Sequence, residues 1–275
     1  MSALKGKVAV VTGASTPSGI GLAIAKRFAQ AGATLFLVAD RTREQLDAAR
    51  AACLAQEGCG PVETALLDLG APGQAEDMIR LADERFGRVD VLVNNAGIRA
   101  PYDFGSYTRD VFDRVLAVNL ASAFFASQAA IPVMRRGGGG RIIHIASQMG
   151  RVAGPRAALY GMTKAALIHL TKSMALELCR DNITVNSLSP GPIATQPLKD
   201  MGMRSMRELF EAPSSEEAPP SGELPDWNSQ QLGKLPIGRL GQVDEVADVA
   251  LYLAAGSPSF LMGQDVVVDG GYLLE

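Results

Sequence analysis

Short apolar runs alternate along this chain with longer segments of helical periodicity. Residues 7–12 and 34–39 have strand chemistry, and segments with helical spacing follow them at 19–31 and 42–56. This alternation is typical of folds in which crossover helices connect parallel strands. It predicts further strands at 62–67, 89–94, 141–146, 183–187 and 265–269, and helices at 74–86, from about 108, at 156–179 and at 243–255.

Two of the predicted helix ends carry suitable capping residues. Gly32 follows the first helix, where a left-handed C-terminal cap is expected. Thr42 and Gln45 have the spacing of a capping box at the start of the second helix. Both features support the predicted boundaries.

Several predicted strands are apolar on both faces, as at 8–11, 35–38 and 89–93. Such strands require helices on both sides of a parallel sheet. We therefore predict an α/β fold with a doubly wound, Rossmann-type sheet in three α/β/α layers, formed by a single domain over 1–275. Ligands of such sheets bind beyond the carboxyl ends of the strands, where the strand order reverses.

Composition excludes several other classes of protein. Hydrophobic residues make up 47% and charged residues 20%, which is inconsistent with general disorder. A net charge of −3 provides no basic excess, so we expect no nucleic-acid partner. Three cysteines without a CxxC pair and two histidines fit a reducing compartment and predict no metal site. His144 is expected to pack within a strand.

Two apolar stretches are relevant to the location of the protein in the cell. The run at 8–11 is too short for a signal peptide, so we expect a cytoplasmic protein. The uncharged segment 115–134 is long enough to span a bilayer. Asn119, Ser122 and Pro132 interrupt it, and its small residues suit packing within protein. We predict a buried helix and no membrane partner.

A glycine-rich turn follows the first predicted strand. Gly13, Gly19 and Gly21 lie between that strand and the first helix. Backbone amides and a helix N-terminus then face one volume, which suits a pyrophosphate. Asp40, at the end of the second strand, lies where a carboxylate can hold the hydroxyls of an adenosine ribose.

Five further features follow later strands of the predicted sheet. They are Asn94-Asn95-Ala96-Gly97, Asn119, Ser147, Tyr160-Gly161-Met162-Thr163-Lys164 and Pro190-Gly191-Pro192-Ile193-Ala194-Thr195. With the glycine turn, this ordered set resembles the short-chain dehydrogenase/reductase family across nearly the whole chain. One departure concerns the turn, since five residues separate Gly13 from Gly19 where the family usually has three.

The residues themselves support acid/base chemistry. Tyr160 and Lys164 are four apart, so on a helix their side chains emerge on one face. A nearby ammonium stabilises a phenolate, which makes the tyrosine a usable acid and base. Ser147 can donate a hydrogen bond to a substrate oxygen on which negative charge develops.

The resemblance implies specific roles for these residues. The tyrosine exchanges the substrate proton, the lysine also binds the nicotinamide ribose, the serine orients the substrate, and Asn119 belongs to a proton relay. Asp68 resembles the acid that contacts adenine, and residues 190–195 resemble the segment that holds the carboxamide. The expected cofactor contacts are Gly13, Ser15, Ser18, Gly19, Ile20, Asp40, Arg41, Asp68, Leu69, Asn95, Ala96, Gly97, Tyr160, Lys164, Pro190, Gly191, Ile193 and Thr195.

The expected cofactor is NAD, with NADP as the alternative. Residues 14–18 contain no Lys or Arg, and Asp40 would repel a 2′-phosphate. Arg41 favours NADP, because an arginine after the second strand can pair with that phosphate.

Residues 197–236 form an insertion rich in proline and methionine that also carries Trp227. Long segments of this kind are commonly lids or disordered, and we predict a substrate-covering lid with a disordered stretch at 214–222. The residues expected to face substrate are Arg99, Gln148, Met149, Arg151, Met201 and Trp227, although Arg99 and Arg151 are equally consistent with solvated surface arginines.

Together these features predict an oxidoreductase that interconverts a secondary alcohol and a ketone, with Tyr160 as the general acid/base. An NADPH-dependent 3-oxoacyl thioester reductase is the alternative enzyme, and a non-catalytic nicotinamide-sensing protein is the alternative from another class. The resemblance also implies a homotetramer, in which the small-residue surfaces of helices 115–134 and 157–178 pair across a twofold axis.

Overall fold

The computed structural model describes residues 2–195 and 235–274. Within these residues one parallel sheet is flanked by helices on both faces. The strands are β1 (Val8–Thr12), β2 (Thr34–Ala39), β3 (Val62–Leu66), β4 (Val91–Asn94), β5 (Gly140–Ile145), β6 (Ile183–Pro190) and β7 (Asp265–Val268). The helices are α1 (Ile20–Gln30), α2 (Arg43–Leu54), α3 (Gln74–Phe86), α4 (Arg109–Leu116), α5 (Ser122–Arg136), α6 (Ala158–Leu178) and α7 (Val243–Leu251).

The strand order β3-β2-β1-β4-β5-β6-β7 reverses direction between β1 and β4. Val11 of β1 pairs with Leu37 of β2 on one side and with Val93 of β4 on the other. The first crossovers lead outward through β2 to β3, and the chain then returns to the centre to form β4. A crevice therefore opens beyond the carboxyl ends of β1 and β4. This confirms the prediction of a single, doubly wound Rossmann-type domain.

Neighbouring residues of a strand contribute to two different cores. Leu35 and Leu37 of β2 pack with Phe28 of α1 on one face of the sheet. Phe36 and Val38 pack with residues of α3 on the other face. Side chains of a strand alternate between faces, so a strand covered on both sides must be apolar throughout. The continuous apolar runs of the sequence have this origin.

The long helix predicted from about 108 is interrupted. A π-helical turn, Ala117–Ala121, separates α4 from α5. Such turns insert one extra residue and occur frequently at functional sites. Asn119 lies in this turn, and its side-chain amide bonds both the N–H and the carbonyl of Ile98. That partner is distant in sequence, so helical periodicity alone gave no sign of the turn.

The predicted caps differ in outcome. Gly32 has a φ of +83° after α1, which confirms its role in ending that helix. Thr42 accepts a hydrogen bond from the Gln45 amide at 3.2 Å, but Gln45 Oε1 is buried and accepts no bond from the described residues. Only half of the predicted capping box forms. A complete box is present at α7, between Gln242 and Glu245.

The apolar segment at 115–134 lies within Arg109–Arg136, which comprises α4, the π turn and α5 and by length and composition alone could cross a membrane. Ala126, Ala130 and Met134 of α5 are nevertheless buried against the sheet, as expected for a core helix. Of the predicted lid at 197–236, all but Leu235 and Pro236 lie outside the described residues.

Candidate active site

One cleft of about 740 Å³ lies beyond the carboxyl ends of the strands. Its volume falls within the roughly 300–1,000 Å³ typical of ligand sites. Except for Ser18, all the predicted cofactor residues line it, together with Ser147 and three of the substrate candidates. Thr16, Thr42 and Gln45 also line it, although the sequence analysis did not assign them to the site.

The glycine turn is fastened to the end of β4. Gly13 has a φ of +66°, and a Cβ at this position would lie 2.9 Å from Asn95 Nδ2, so a side chain is excluded. Asn95 Nδ2 donates to the Thr12 carbonyl at 2.8 Å, while the amides of Asn95 and Ala96 both donate to Thr12 Oγ1 at 2.9 Å. Thr12 thus aligns the two central strands. The only feature of the sequence that could have indicated this role of Thr12 is a hydroxyl side chain at the last position of β1.

The glycine turn has two residues more than is usual in the resembled family, and the loop before α1 accommodates them. The Gly19 amide donates to the Thr16 carbonyl at 2.9 Å, which closes the longer loop. Gly19 is the N-cap of α1 and has no side chain to cap the helix. Gly19, Ile20 and Gly21 line the cleft, so the N-terminus of α1 lies at the cleft. Ser15 lines the cleft and is buried, whereas Ser18 is not among the lining residues.

A three-residue charge network lies at the end of the cleft formed by β2 and β3. Asp68 accepts hydrogen bonds from Arg114 Nη1 at 2.9 Å and from the Gly70 amide at 2.9 Å. Arg114 Nη2 lies 2.8 Å from Asp68 Oδ1 and 4.0 Å from Asp40 Oδ2. Sequence reasoning missed Arg114, because only the fold brings the last turn of α4 to these strand ends.

Tyr160 and Lys164 lie on the first turns of α6 and both line the cleft. Lys164 Nζ is 5.5 Å from the centre of the Tyr160 ring and donates to the Ile145 carbonyl at 2.7 Å. The ammonium is buried, and burial lowers the pKa of Lys164, while the neighbouring Tyr160 acts in the opposite direction. Helical spacing had predicted their shared face, but not the burial.

Ser147 follows β5 and is held directly against α6. Its Oγ accepts a hydrogen bond from the Met149 amide at 3.2 Å, which leaves the hydroxyl hydrogen for another acceptor. A Cβ at Gly161 would lie only 2.7 Å from the Met149 carbonyl oxygen. A glycine is therefore required at position 161 for the turn after Ser147 to approach the helix that carries Tyr160.

Asn119 lies behind the lining residues and is buried. Its Nδ2 donates to the Ile98 carbonyl at 2.9 Å and to Thr163 Oγ1 at 3.1 Å, while Oδ1 accepts from the Ile98 amide at 2.8 Å. Both amide hydrogens are therefore used. The side chain connects the segment after β4 to α6, and its oxygen keeps one lone pair for a further hydrogen bond.

The substrate candidates separate into three groups. Arg99, Gln148 and Met149 line the cleft, and Arg99 Cζ is 5.1 Å from the centre of the Tyr160 ring. Arg151 does not line the cleft, because its guanidinium pairs with the buried carboxylate of Asp265. The geometry corrects the expectation that Arg151 faces substrate. The remaining two candidates, Met201 and Trp227, lie outside the described residues.

The residues present fit a dinucleotide cofactor. The N-terminus of α1 and the glycine turn, which both line the cleft, suit the pyrophosphate. Asp40 lies at the end suited to the ribose hydroxyls, and Lys164 lies at the opposite end beside Tyr160. The residues that would hold the adenosine and those that would hold the nicotinamide thus lie at two ends of one cleft, as the strand-order reversal requires.

Family comparison supports this interpretation. Residues 7–204 match the family model described as short chain dehydrogenase. The chain belongs to the short-chain dehydrogenase/reductase family. Residues 220–273 also match the model described as Enoyl-(Acyl carrier protein) reductase. The family predicted from the motifs is therefore confirmed.

Full-length relatives share between about a third and two fifths of its residues. A D-beta-hydroxybutyrate dehydrogenase of Rhizobium meliloti (strain 1021) is 36% identical over 272 residues, covering 97% of this chain and 98% of that protein. The 3-oxoacyl-(acyl-carrier-protein) reductase FabG of Thermotoga maritima is 34% identical over 272 residues, covering 98% and 99%. In both comparisons the alignment covers nearly the whole of each chain.

A solved structure extends the comparison to a complex. A 7 alpha-hydroxysteroid dehydrogenase complexed with NADH and 7-oxo glycochenodeoxycholic acid has a TM-score of 0.83 and 31% identity, covering 98% of this chain and 94% of that chain. Together these similarities show that this short-chain dehydrogenase/reductase is an NAD(P)-dependent oxidoreductase acting on CH–OH groups. The alternative of a non-catalytic sensing protein is therefore set aside.

Proposed function

We propose that this short-chain dehydrogenase/reductase interconverts a secondary alcohol and a ketone, with NAD as its preferred cofactor and Tyr160 as the general acid/base. The observation that carries the proposal is that Tyr160, Lys164 and Ser147 line the same cleft as the glycine turn. When bound there, the nicotinamide supplies or accepts the hydride.

The chain's own residues handle the proton. In reduction the Tyr160 hydroxyl gives its proton to the carbonyl oxygen, and in oxidation the phenolate takes the proton of the alcohol. The Lys164 ammonium, 5.5 Å from the ring centre and shielded from water, stabilises the phenolate. Ser147 donates its remaining hydrogen to the same substrate oxygen as negative charge develops there.

Asn119 supports this arrangement from behind. In the relay implied by the family, its side chain has only an acceptor position left, because both amide hydrogens bond Ile98 and Thr163. We assign to it the positioning of the segment 97–98 against α6. Arg99, Gln148 and Met149 remain the proposed substrate contacts, since they lie beside Tyr160 in the cleft.

Replacement of one oxygen tests the proposal. Tyr160→Phe removes the proton carrier with little change in packing, so we expect activity to fall by about 10²–10⁴-fold. The Kd for NADH, measured by fluorescence titration, should stay within about twofold, because the phenol oxygen contributes mainly to chemistry. Tyr252→Phe, at a half-exposed tyrosine that does not line the cleft, is the matched control. Retention of more than a tenth of wild-type activity in Tyr160→Phe would contradict the mechanism.

The NADPH-dependent reduction of 3-oxoacyl thioesters is the second candidate. Arg41 lines the end of the cleft that suits the adenosine, where a 2′-phosphate would lie. The similarity to the Thermotoga maritima reductase favours the same reaction. A higher kcat/KM for a 3-oxoacyl thioester with NADPH than for any secondary alcohol with NAD would select it. For either reaction we retain the expectation of a cytoplasmic location.

A further inference from the structure

The end of the cleft suited to adenosine holds two carboxylates and one guanidinium that does not itself line the cleft. Asp40 and Asp68 both line the cleft, with side chains 42% and 48% exposed. Arg114 reaches them from α4 and is only 18% exposed. Its Nη1 and Nη2 engage both oxygens of Asp68, at 2.9 and 2.8 Å. Such two-point pairs fix geometry as well as charge.

The two carboxylates are therefore not equivalent. Asp68 accepts hydrogen bonds from Arg114 and from the Gly70 amide. The guanidinium offsets the negative charge of Asp68, and the two bonds fix the orientation of its carboxylate. Arg114 Nη2 lies 4.0 Å from Asp40 Oδ2, which is beyond hydrogen-bond distance but near enough for electrostatic attraction. A 2′-phosphate beside Asp40 would meet a local charge to which all three residues contribute.

We propose that Arg114 is a positioning residue that sets the NAD-against-NADP preference, by neutralising and orienting Asp68 and by partly offsetting the charge of Asp40. This inference rests on the proposed nicotinamide cofactor. The discrimination between NAD and NADP then depends on the Asp68 and Arg114 charges as well as on Asp40 and Arg41, which both line the cleft. Removal of Arg114 and removal of the Asp68 charge must therefore shift the preference in opposite directions.

The test measures binding and requires no turnover. The Kd values of NADH and NADPH are obtained by fluorescence titration for the wild type, Arg114→Met, Asp68→Asn and the double variant. In Arg114→Met two uncompensated carboxylates repel the 2′-phosphate, so the ratio of the NADPH Kd to the NADH Kd should rise about fivefold or more. In Asp68→Asn the guanidinium can turn toward Asp40 and the phosphate, so the ratio should fall about fivefold or more.

Matched variants separate charge from structure. Arg114→Lys keeps the positive charge and loses the two-point geometry, so both Kd values should rise while their ratio stays within about threefold. Arg109 lies on the same helix, is 83% exposed and pairs with Asp113, so Arg109→Met should leave the ratio unchanged. The double variant should return the ratio toward the wild-type value, and 1 M salt should reduce every shift.

The outcomes are distinct. A ratio in Arg114→Met within twofold of the wild-type value, or a change in the direction seen for Asp68→Asn, overturns the role of Arg114 and leaves the proposed oxidoreductase intact. Equal weakening of both cofactors in Arg114→Met overturns it too, because that result reports structural damage only. Absence of NADH and NADPH binding in the wild type overturns the proposed function and this inference together.

Discussion

Lys164 carries a positive charge in a place where charge is costly. Its side chain is buried, and burial lowers its pKa from the ordinary value of 10.5. A cation whose pKa is lower in the folded state binds its proton more tightly when unfolded, so protonation favours unfolding. Between the lowered pKa and 10.5, the contribution of Lys164 to stability therefore falls as the pH falls.

We expect Lys164→Met to remove function and to gain stability. Loss of the ammonium deprives Tyr160 of its charged neighbour and the ribose of its contact, so activity should fall and the Kd for NADH should rise about tenfold. Because the desolvation cost of the charge exceeds the single bond to Ile145, Tm should rise by about 2–4 °C, equivalent to roughly 1 kcal/mol in a domain of this size.

Lys172→Met, an exposed lysine on the same helix, is the matched control and should leave Tm, activity and NADH affinity unchanged. Thermal unfolding monitored by circular dichroism gives Tm for each variant. A drop of several degrees in Lys164→Met would mean that its bond to the Ile145 carbonyl outweighs the cost of burying the charge.

The turn after Ser147 is held from the side by β7. Asp265, whose side chain is 1% exposed, accepts hydrogen bonds from Ser187 Oγ at 2.8 Å and Ser189 Oγ at 2.7 Å, and pairs with Arg151. Arg151 directly follows the short 3-10 turn Gln148–Gly150. Three segments distant in sequence thus meet at one carboxylate, which fixes the turn relative to the sheet.

Breaking this pair should affect stability and catalysis together. The Asp265 carboxylate is buried but Arg151 is 43% exposed, so breaking this pair costs less than breaking a fully buried one. With about 1–3 kcal/mol for the hydrogen bonds of the buried carboxylate, Asp265→Asn should lower Tm by about 2–12 °C. Arg151→Gln leaves the two serine bonds in place and should lower Tm less. In both variants kcat should fall about tenfold while NADH affinity changes little, because Ser147 shifts and the glycine turn does not.

The exposed pair of Arg156 with Asp103 supplies the control, since Arg156→Gln removes a comparable guanidinium at the surface. Equal kcat values in Arg151→Gln and Arg156→Gln would show that the pair of Arg151 with Asp265 has no influence on the position of Ser147.

The described residues change the surface on which the homotetramer implied by the family resemblance would assemble. The expected small-residue surface is only partly available, because Ala126 and Ala130 of α5 are buried against the sheet and Ala123 is buried against residues of α6. The exposed apolar groups of α5 and α6 are larger, among them Phe125 at 44% and Leu176 at 81%. Exposed apolar groups on neighbouring helices are suited to subunit contacts.

We expect sedimentation equilibrium at micromolar concentration to give about four times the 28.9 kDa chain mass. The double substitution Phe125→Glu and Leu176→Glu should reduce this mass, because it would place carboxylates in an apolar interface. Leu54→Glu, at a 44% exposed leucine on α2, is the control and should leave the mass unchanged. A wild-type mass near that of one chain would contradict the tetramer.

Local chemistry was sufficient to predict most of the elements and much of the cleft from the sequence. Apolar runs and helical periodicity predicted the strands and helices, because burial on two faces of a strand and one face of a helix leaves a direct pattern in the residues. Strand ends in a parallel sheet lie at one edge, so Gly13, Asp40 and Ser147 could be assigned to a common site from their positions. Tyr160 lies on a helix, and its assignment depended on its spacing from Lys164 and on the family resemblance.

Tertiary structure alone decided the features that depend on pairing between distant segments. The π turn at Asn119 depends on Ile98, the orientation of Asp68 depends on Arg114, and the placement of Arg151 depends on Asp265. A periodic pattern reports which face of an element is apolar, whereas hydrogen bonds and ion pairs depend on atoms brought within about 3 Å by the folded chain. That distance dependence explains why the sequence could assign Arg151 to the substrate and miss Arg114.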